Sequence, residues 1–259
     1  MRVVKGRWLG KFGQCDFVYP DKLHKVDEYL EYAKKAGFSI PQKPNIIVKI
    51  SPEKVNRLKN IYLGAIPNAK WIALAPGSGD SYKQWSPQNF IELGHLLLDH
   101  SNDLKIAIIG SNNEMDLLTQ IYSGLNKERC VIINSLGIID CIALLKSCSC
   151  MVVANAGLSH LAAAADIPIV GLQGPSNPAY CGPFSKEFRS IRVNLSCSPC
   201  DSEYYRFGCG DPMCMSLITS SDVFNAVLQS INGDPCPPVP WFERKIINQE
   251  VLLNRHILS

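Results

Sequence analysis

Residues 151–172, MVVANAGLSHLAAAADIPIVGL, decide the fold. Met151 to Ala154 is a short apolar run, in keeping with a buried strand. Asn155-Ala-Gly-Leu-Ser-His160 is a turn of small and polar residues that opens an alanine-rich helix, Leu158 to Ala165, suited to close packing on a sheet. Ile167 to Leu172 is again apolar. A strand, a crossover helix and a second strand form a βαβ unit, whose strands run parallel.

Working outward, Trp71 to Ala75, Leu104 to Ile109 and Cys130 to Ile133 read as further strands, near-continuously apolar as expected when helices cover both faces. Five strands alternating with helices predict an α/β fold with a Rossmann-like, doubly wound parallel sheet. Ser86-Pro87 starts one helix, with Ser as N-cap and Pro at the first position, and Phe90, Leu93 and Leu97 mark its face. Leu117, Ile121 and Leu125 mark the next, and Asp140 to Lys146 a third. Ser220 or Ser221 is expected to cap a last helix through Val223, Val227 and Ile231, with Gly233 stopping it. Residues 1–43 stand outside this alternation. There Val26, Leu30 and Ala33 form a helix face, Gly37 ends it, and Pro41 to Pro44 reads as a linker. The alternating domain occupies 44–232. From 233 to 259 a proline-rich break precedes an amphipathic segment, Trp241 to Leu258, expected to be helical.

Composition narrows the function classes. In 259 residues, 26 basic side chains face 23 acidic ones, a balance that does not suggest a nucleic-acid footprint. The basic N-terminus lacks the apolar run of a secretory signal, and no stretch approaches the ~20 apolar residues of a membrane span, so the expected compartment is the cytoplasm. Peripheral contact with the inner membrane face through basic residues and Trp8 stays open. Of 11 cysteines, Cys130, Cys141, Cys148 and Cys150 fall in or beside apolar segments, as small hydrophobes do.

Open parallel sheets bind ligands beyond the carboxyl ends of their strands, so the segments just after strands carry the functional argument. Pro76-Gly-Ser78-Gly79-Asp-Ser-Tyr-Lys83-Gln-Trp85 is a small-residue loop ending in a cation, able to offer backbone N–H groups and the Lys83 charge to phosphate. It lacks the spacing of a Walker loop and of G-x-G-x-x-G; alone it also reads as a surface turn. Gly110-Ser-Asn-Asn-Glu114 puts a carboxylate at a helix start, to accept from ribose hydroxyls or simply to cap the helix. Asn155 to His160 sets N–H groups and the positive end of a helix dipole toward an anion. Gly157 there permits close backbone approach, and His160 either bonds the ligand or packs under the sheet edge.

These motifs, together with Leu161-Ala-Ala-Ala164 and Gly174-Pro-Ser-Asn-Pro178, resemble glycosyltransferase family 9, the lipopolysaccharide heptosyltransferases, over residues 20–232. The resemblance implies the two-domain B-type architecture, with this chain carrying mainly the C-terminal, donor-binding half and residues 1–43 a remnant of the acceptor domain. It implies that Ser78, Gly79 and Lys83 contact the donor diphosphate and Glu114 the ribose. Leu136 would meet the base, and Asn155, Ala156, Gly157, Leu158 and His160 the phosphates and sugar. The implied reaction is an inverting, metal-independent transfer from an ADP-heptose-like donor to lipopolysaccharide core or another glycan, with no cofactor. The family pattern usually has Asp at position 155 and Thr or Ser at 156. Asn155 bonds a hydroxyl without a charge, which leaves other nucleotide sugars open. The family's general base lies in the acceptor domain and is assigned to no residue here. A separate acceptor-domain partner, or a non-catalytic nucleotide-sugar-binding module, is the alternative.

Cys197-x2-Cys200-x8-Cys209-x4-Cys214 has spacing compatible with zinc or an iron-sulfur cluster. Structural thiols, zinc and a disulfide are the readings it leaves. Gly157-Leu-Ser159-His-Leu161 lacks the final Gly of a nucleophile elbow, which argues against a hydrolase.

Overall fold

The computed structural model describes residues 2–5, 16–19, 24–41, 46, 48–154, 156–200 and 212–236. Two short strands, β1 (Arg2–Lys5) and β2 (Asp16–Tyr19), pair antiparallel, and α1 (Lys25–Lys35) follows. The helix marked by Val26, Leu30 and Ala33 is thus preceded by a hairpin that the sequence reading did not include. Gly37, at φ 87°, takes the left-handed conformation that stops α1. The proposed linker falls largely on residues 42–45, outside the described residues, as do Trp8 and the segment Trp241 to Leu258.

The main body comprises α2 (Pro52–Tyr62), β3 (Lys70–Ala75), α3 (Pro87–His100), β4 (Leu104–Gly110), α4 (Met115–Ser123) and β5 (Cys130–Asn134). It continues with α5 (Ile138–Leu145), β6 (Cys150–Ala154), α6 (Leu158–Ala165), β7 (Ile169–Leu172), α7 (Pro178–Cys181), β8 (Phe188–Ile191), α8 (Met213–Ser216) and α9 (Ser220–Ile231). Six strands form one parallel sheet in the order β5-β4-β3-β6-β7-β8. The chain winds from β3 outward to β5, then crosses back to lay β6 on the other side of β3. The connections leaving β3 and β6 therefore diverge and open a crevice at their carboxyl ends.

Successive residues of each strand feed opposite cores. Ile72, Leu74, Ile106, Ile108 and Val152 meet Phe90, Leu93 and Leu97 of α3, Leu118 and Ile121 of α4, and Val223 and Val227 of α9. On the other face, Ala73, Ala75, Ala107, Met151 and Val153 meet Leu58 of α2, Ile142 to Leu145 of α5 and Ala162 to Ala165 of α6. Short side chains on both partners let α6 lie close to the sheet. Each large apolar side chain so buried contributes about 1.5–3 kcal/mol of transfer free energy.

Ser86 caps α3 as expected, its hydroxyl accepting from Asn89 N at 3.1 Å. Other boundaries differ. Leu118, not Leu117, is fully buried beside Ile121 in α4, because the helix begins at Met115 and turns that position inward. α5 starts two residues before Asp140, at Ile138. Thr219 caps α9, accepting from Asp222 N, while Ser220 turns its hydroxyl to Glu92 Oε2 at 2.9 Å. The sixth strand, β8, was hidden by Arg189 and Ser190. The Arg189 guanidinium is buried yet satisfied by Ser230 Oγ at 3.1 Å, Asp234 O at 2.5 Å and Pro235 O at 3.2 Å, so a charge sits inside a strand without breaking it. No helix among the described residues is long and apolar enough to cross a membrane.

Burial pushes the thiols of Cys130 and Cys141 up to about 11, and those of Cys148 and Cys150 to about 12. Native-state alkylation followed by mass mapping is expected to label exposed Cys197 first, leaving Cys148 and Cys150 unmodified until denaturant is added. Labelling of Cys150 as fast as Cys197 would contradict this packing.

Candidate functional site

The loop after β3 is built to hold a cation still. Trp85 ends it, 1% exposed, with Nε1 donating to Ile218 O at 3.0 Å and its ring edge-on to Phe90 at 4.9 Å. Gln84 Nε2 reaches back to Ser78 O at 3.3 Å, and a single 3₁₀ turn, Ser81–Lys83, fills the span. Lys83 pairs with Asp80 Oδ2 at 2.6 Å and lies 5.4 Å from the centre of the Tyr82 ring. The hydrogen bond from Lys83 holds the Asp80 carboxyl below the usual carboxylate range. The ammonium is thus held at the strand-order reversal by an ion pair within its own loop.

Of the roles considered for Glu114, its hydrogen bonds are those of the cap. Its Oε2 accepts from Ser111 N at 2.7 Å and Ser111 Oγ at 2.8 Å, closing a capping box. Its carboxylate also lies against Gly77, where a Cβ would stand 1.7 Å from Oε1. The loop after β4 therefore touches the loop after β3 only because residue 77 has no side chain. At the end of β5, Leu136 is half-buried, and Ile138 and Ile139 beside it are 65% and 48% exposed, an apolar lip.

At β6, Ala156 and Leu158 are half-buried against the second core, while Gly157 and His160 are exposed at the start of α6. Ser159 is not turned outward: buried, its hydroxyl donates to Ala156 O at 2.8 Å and tightens the turn. Partial burial of its ring, and secondarily His24, lower the His160 value from the ordinary histidine range, favouring the neutral imidazole. Asn155 lies outside the described residues.

Behind these loops, Asn177 caps α7 through Ala179 N at 3.0 Å, and Gly174 packs where a Cβ would meet Met215 Sδ at 2.5 Å and Cys214 Sγ at 2.9 Å. Buried Arg192 donates to Gln173 O at 3.2 Å and Ser198 Oγ at 3.2 Å, and Ser198 Oγ donates to Gly174 O at 2.6 Å. These contacts were not read from the sequence, nor was the buried His24, whose Nε2 bonds Gly182 O at 3.0 Å. Neither Arg192 nor His24 belongs to a recognisable motif. Cys197 is exposed, Cys200 half-buried and Cys214 buried, and Cys209 lies outside the described residues. Among the described residues no three of His, Cys, Asp and Glu gather as a metal site would require.

Replacing Gly77 by Ala is expected to displace Glu114 and lower stability by about 1–3 kcal/mol, and Glu114→Ala to relieve most of that cost. A denaturation double-mutant cycle measures the coupling; strictly additive effects would contradict the contact.

The model of glycosyltransferase family 9 (heptosyltransferase) matches residues 14–209. Lipopolysaccharide heptosyltransferase 2 of Salmonella typhimurium is 30% identical over 127 residues, covering 47% of this chain and 36% of that protein. Among solved structures, a family 9 glycosyl transferase from Veillonella parvula superposes with a TM-score of 0.72 at 17% identity, over 82% of this chain and 61% of that one. The E. coli heptosyltransferase WaaC with ADP does so with a TM-score of 0.57 at 21% identity, over 83% and 58%. The chain thus spans less than two thirds of the length of these relatives. A family model that matches most of the sequence, and a sheet shared with solved members, lead to one conclusion: the chain belongs to glycosyltransferase family 9, the heptosyltransferase family.

Proposed function

We propose that the carboxyl edge of the sheet binds the nucleoside diphosphate of an ADP-heptose-like donor, and that the protein transfers the sugar, with inversion, to lipopolysaccharide or another glycan. The observation that carries this is Lys83, paired with Asp80 in a loop anchored by Trp85 at the strand-order reversal, where the neighbouring strand β6 leads into the exposed start of α6. ADP in a solved heptosyltransferase of the same fold supports the choice of nucleotide.

In this reading Ser78, Gly79 and Lys83 take the diphosphate, and Glu114 takes the ribose. Leu136 covers the base, while Asn155, Ala156, Gly157, Leu158 and His160 surround phosphate and sugar. As the acceptor oxygen bonds to the anomeric carbon, the carbon–oxygen bond to the diphosphate breaks and its electron pair leaves with phosphate. Lys83 and backbone N–H groups neutralise that charge as it develops. A lipopolysaccharide acceptor places the reaction at the cytoplasmic membrane face, with peripheral contact as part of the same proposal.

Calorimetry with ADP tests the site. Lys83→Ala is expected to weaken binding roughly tenfold or more, since hydrogen bonds between charged groups contribute about 1.5–3 kcal/mol; unchanged affinity would sink the assignment. Because burial lowers the His160 value, a bound diphosphate beside it must raise it, and binding takes up a proton. ADP affinity is therefore expected to rise more between pH 7.5 and pH 5.5 in the wild type than in His160→Gln, values on the order of one unit either side of the ordinary histidine range. Identical pH profiles would remove His160 from the site.

A further inference from the structure

A second lysine approaches this edge from α1. His24, buried at the start of that helix, accepts from Val26 N at Nδ1 at 3.2 Å; its other nitrogen, Nε2, therefore carries the hydrogen and donates it to Gly182 O at 3.0 Å. The ring centroid lies 5.7 Å from that of Phe184. Gly182 has no latitude either, since a Cβ there would stand 2.6 Å from Pro178 O. With both nitrogens of His24 engaged, the first turn of α1 is pinned to the corner after α7.

The pinning sets Lys25 next to the residues flanking Gly182. Gly182 belongs to the segment that follows β7, and Lys83 to the loop that follows β3, so in a parallel sheet two lysines from distant parts of the chain are brought to the same carboxyl edge. In keeping with this, both ammonium groups lower the Cys181 thiol that burial raises. Their local arrangements also match. Lys83 pairs with Asp80 three residues before it at 2.6 Å, and Lys25 with Glu28 three residues after it at 2.7 Å. Glu28 is itself held by Tyr32 Oη at 2.9 Å. The Lys25 side chain is 55% exposed, leaving it able to swing to an anion.

We propose that Lys25 is a second cation of the donor site, sharing with Lys83 the neutralisation of the bound diphosphate, and that His24 is the positioning residue that holds it there. This rests on the donor-site reading above. One ammonium offsets a single charge, and a departing nucleoside diphosphate carries more; a second lysine from a separate element supplies the balance without a new loop.

The test is calorimetry of the full chain with ADP, inorganic pyrophosphate and adenosine at several salt concentrations. Lys25→Met is expected to weaken ADP and pyrophosphate roughly tenfold and flatten their salt dependence, with adenosine unaffected and Lys25→Arg retaining affinity. His24→Ala is expected to weaken ADP in the wild type and add nothing further in the Lys25→Met background. Wild-type ADP affinity in Lys25→Met, with Lys83→Ala weakened, overturns the Lys25 assignment and leaves the donor site standing. An equal loss of adenosine binding would mark a structural effect and also overturn it. Additive losses for His24 and Lys25 overturn the positioning role. Failure of the wild type to bind ADP and pyrophosphate overturns both readings.

Discussion

Covering both faces of a parallel sheet with helices leaves polar groups one outlet, the ends of the strands. In this chain the two cores consume nearly every side chain of β3, β4, β6 and β7, down to alanines where α6 comes close. The groups that remain able to meet a ligand are those carried past the last strand residue. Reversal of strand order between β3 and β6 decides which of them share a crevice. Chemistry at this edge is a by-product of burial elsewhere.

Rigidity at the edge comes from contacts between loops rather than from any one loop. Trp85 ties the first loop to the residue before the cap of α9, Glu114 rests on Gly77, and Arg192 binds the main chain after β7. Each anchor acts on backbone carbonyls or on a missing side chain. The positions proposed to meet the donor, Ser78, Gly79 and Gly157, would thereby be set by neighbours outside the proposed site. Such an arrangement limits the reorganisation needed when charge arrives.

The sequence made the three post-strand segments legible because small residues, a cation and a carboxylate directly follow apolar runs, a pattern that depends only on local order. The Ser86 cap and the span of α6 were readable for the same reason. β8 was not, since a buried arginine contradicts the apolar pattern and is rescued by partners some forty residues away. His24 was invisible for a stronger reason: it acts across 158 positions, and a lone histidine before a helix carries no sign of where its ring points. Thr219 replaced the expected serines as a cap because three consecutive hydroxyl residues offer the same chemistry, and only the path of the chain selects among them.

The Arg189 clamp has a consequence for how this region can change over time. Its guanidinium grips Asp234 and Pro235 through their main-chain oxygens, which every amino acid possesses. Substitutions at those two positions leave the grip chemically intact, whereas the arginine and its serine partner cannot be exchanged so freely. The route by which the chain leaves α9 is therefore set by one residue of an edge strand rather than by the side chains of the two residues it holds.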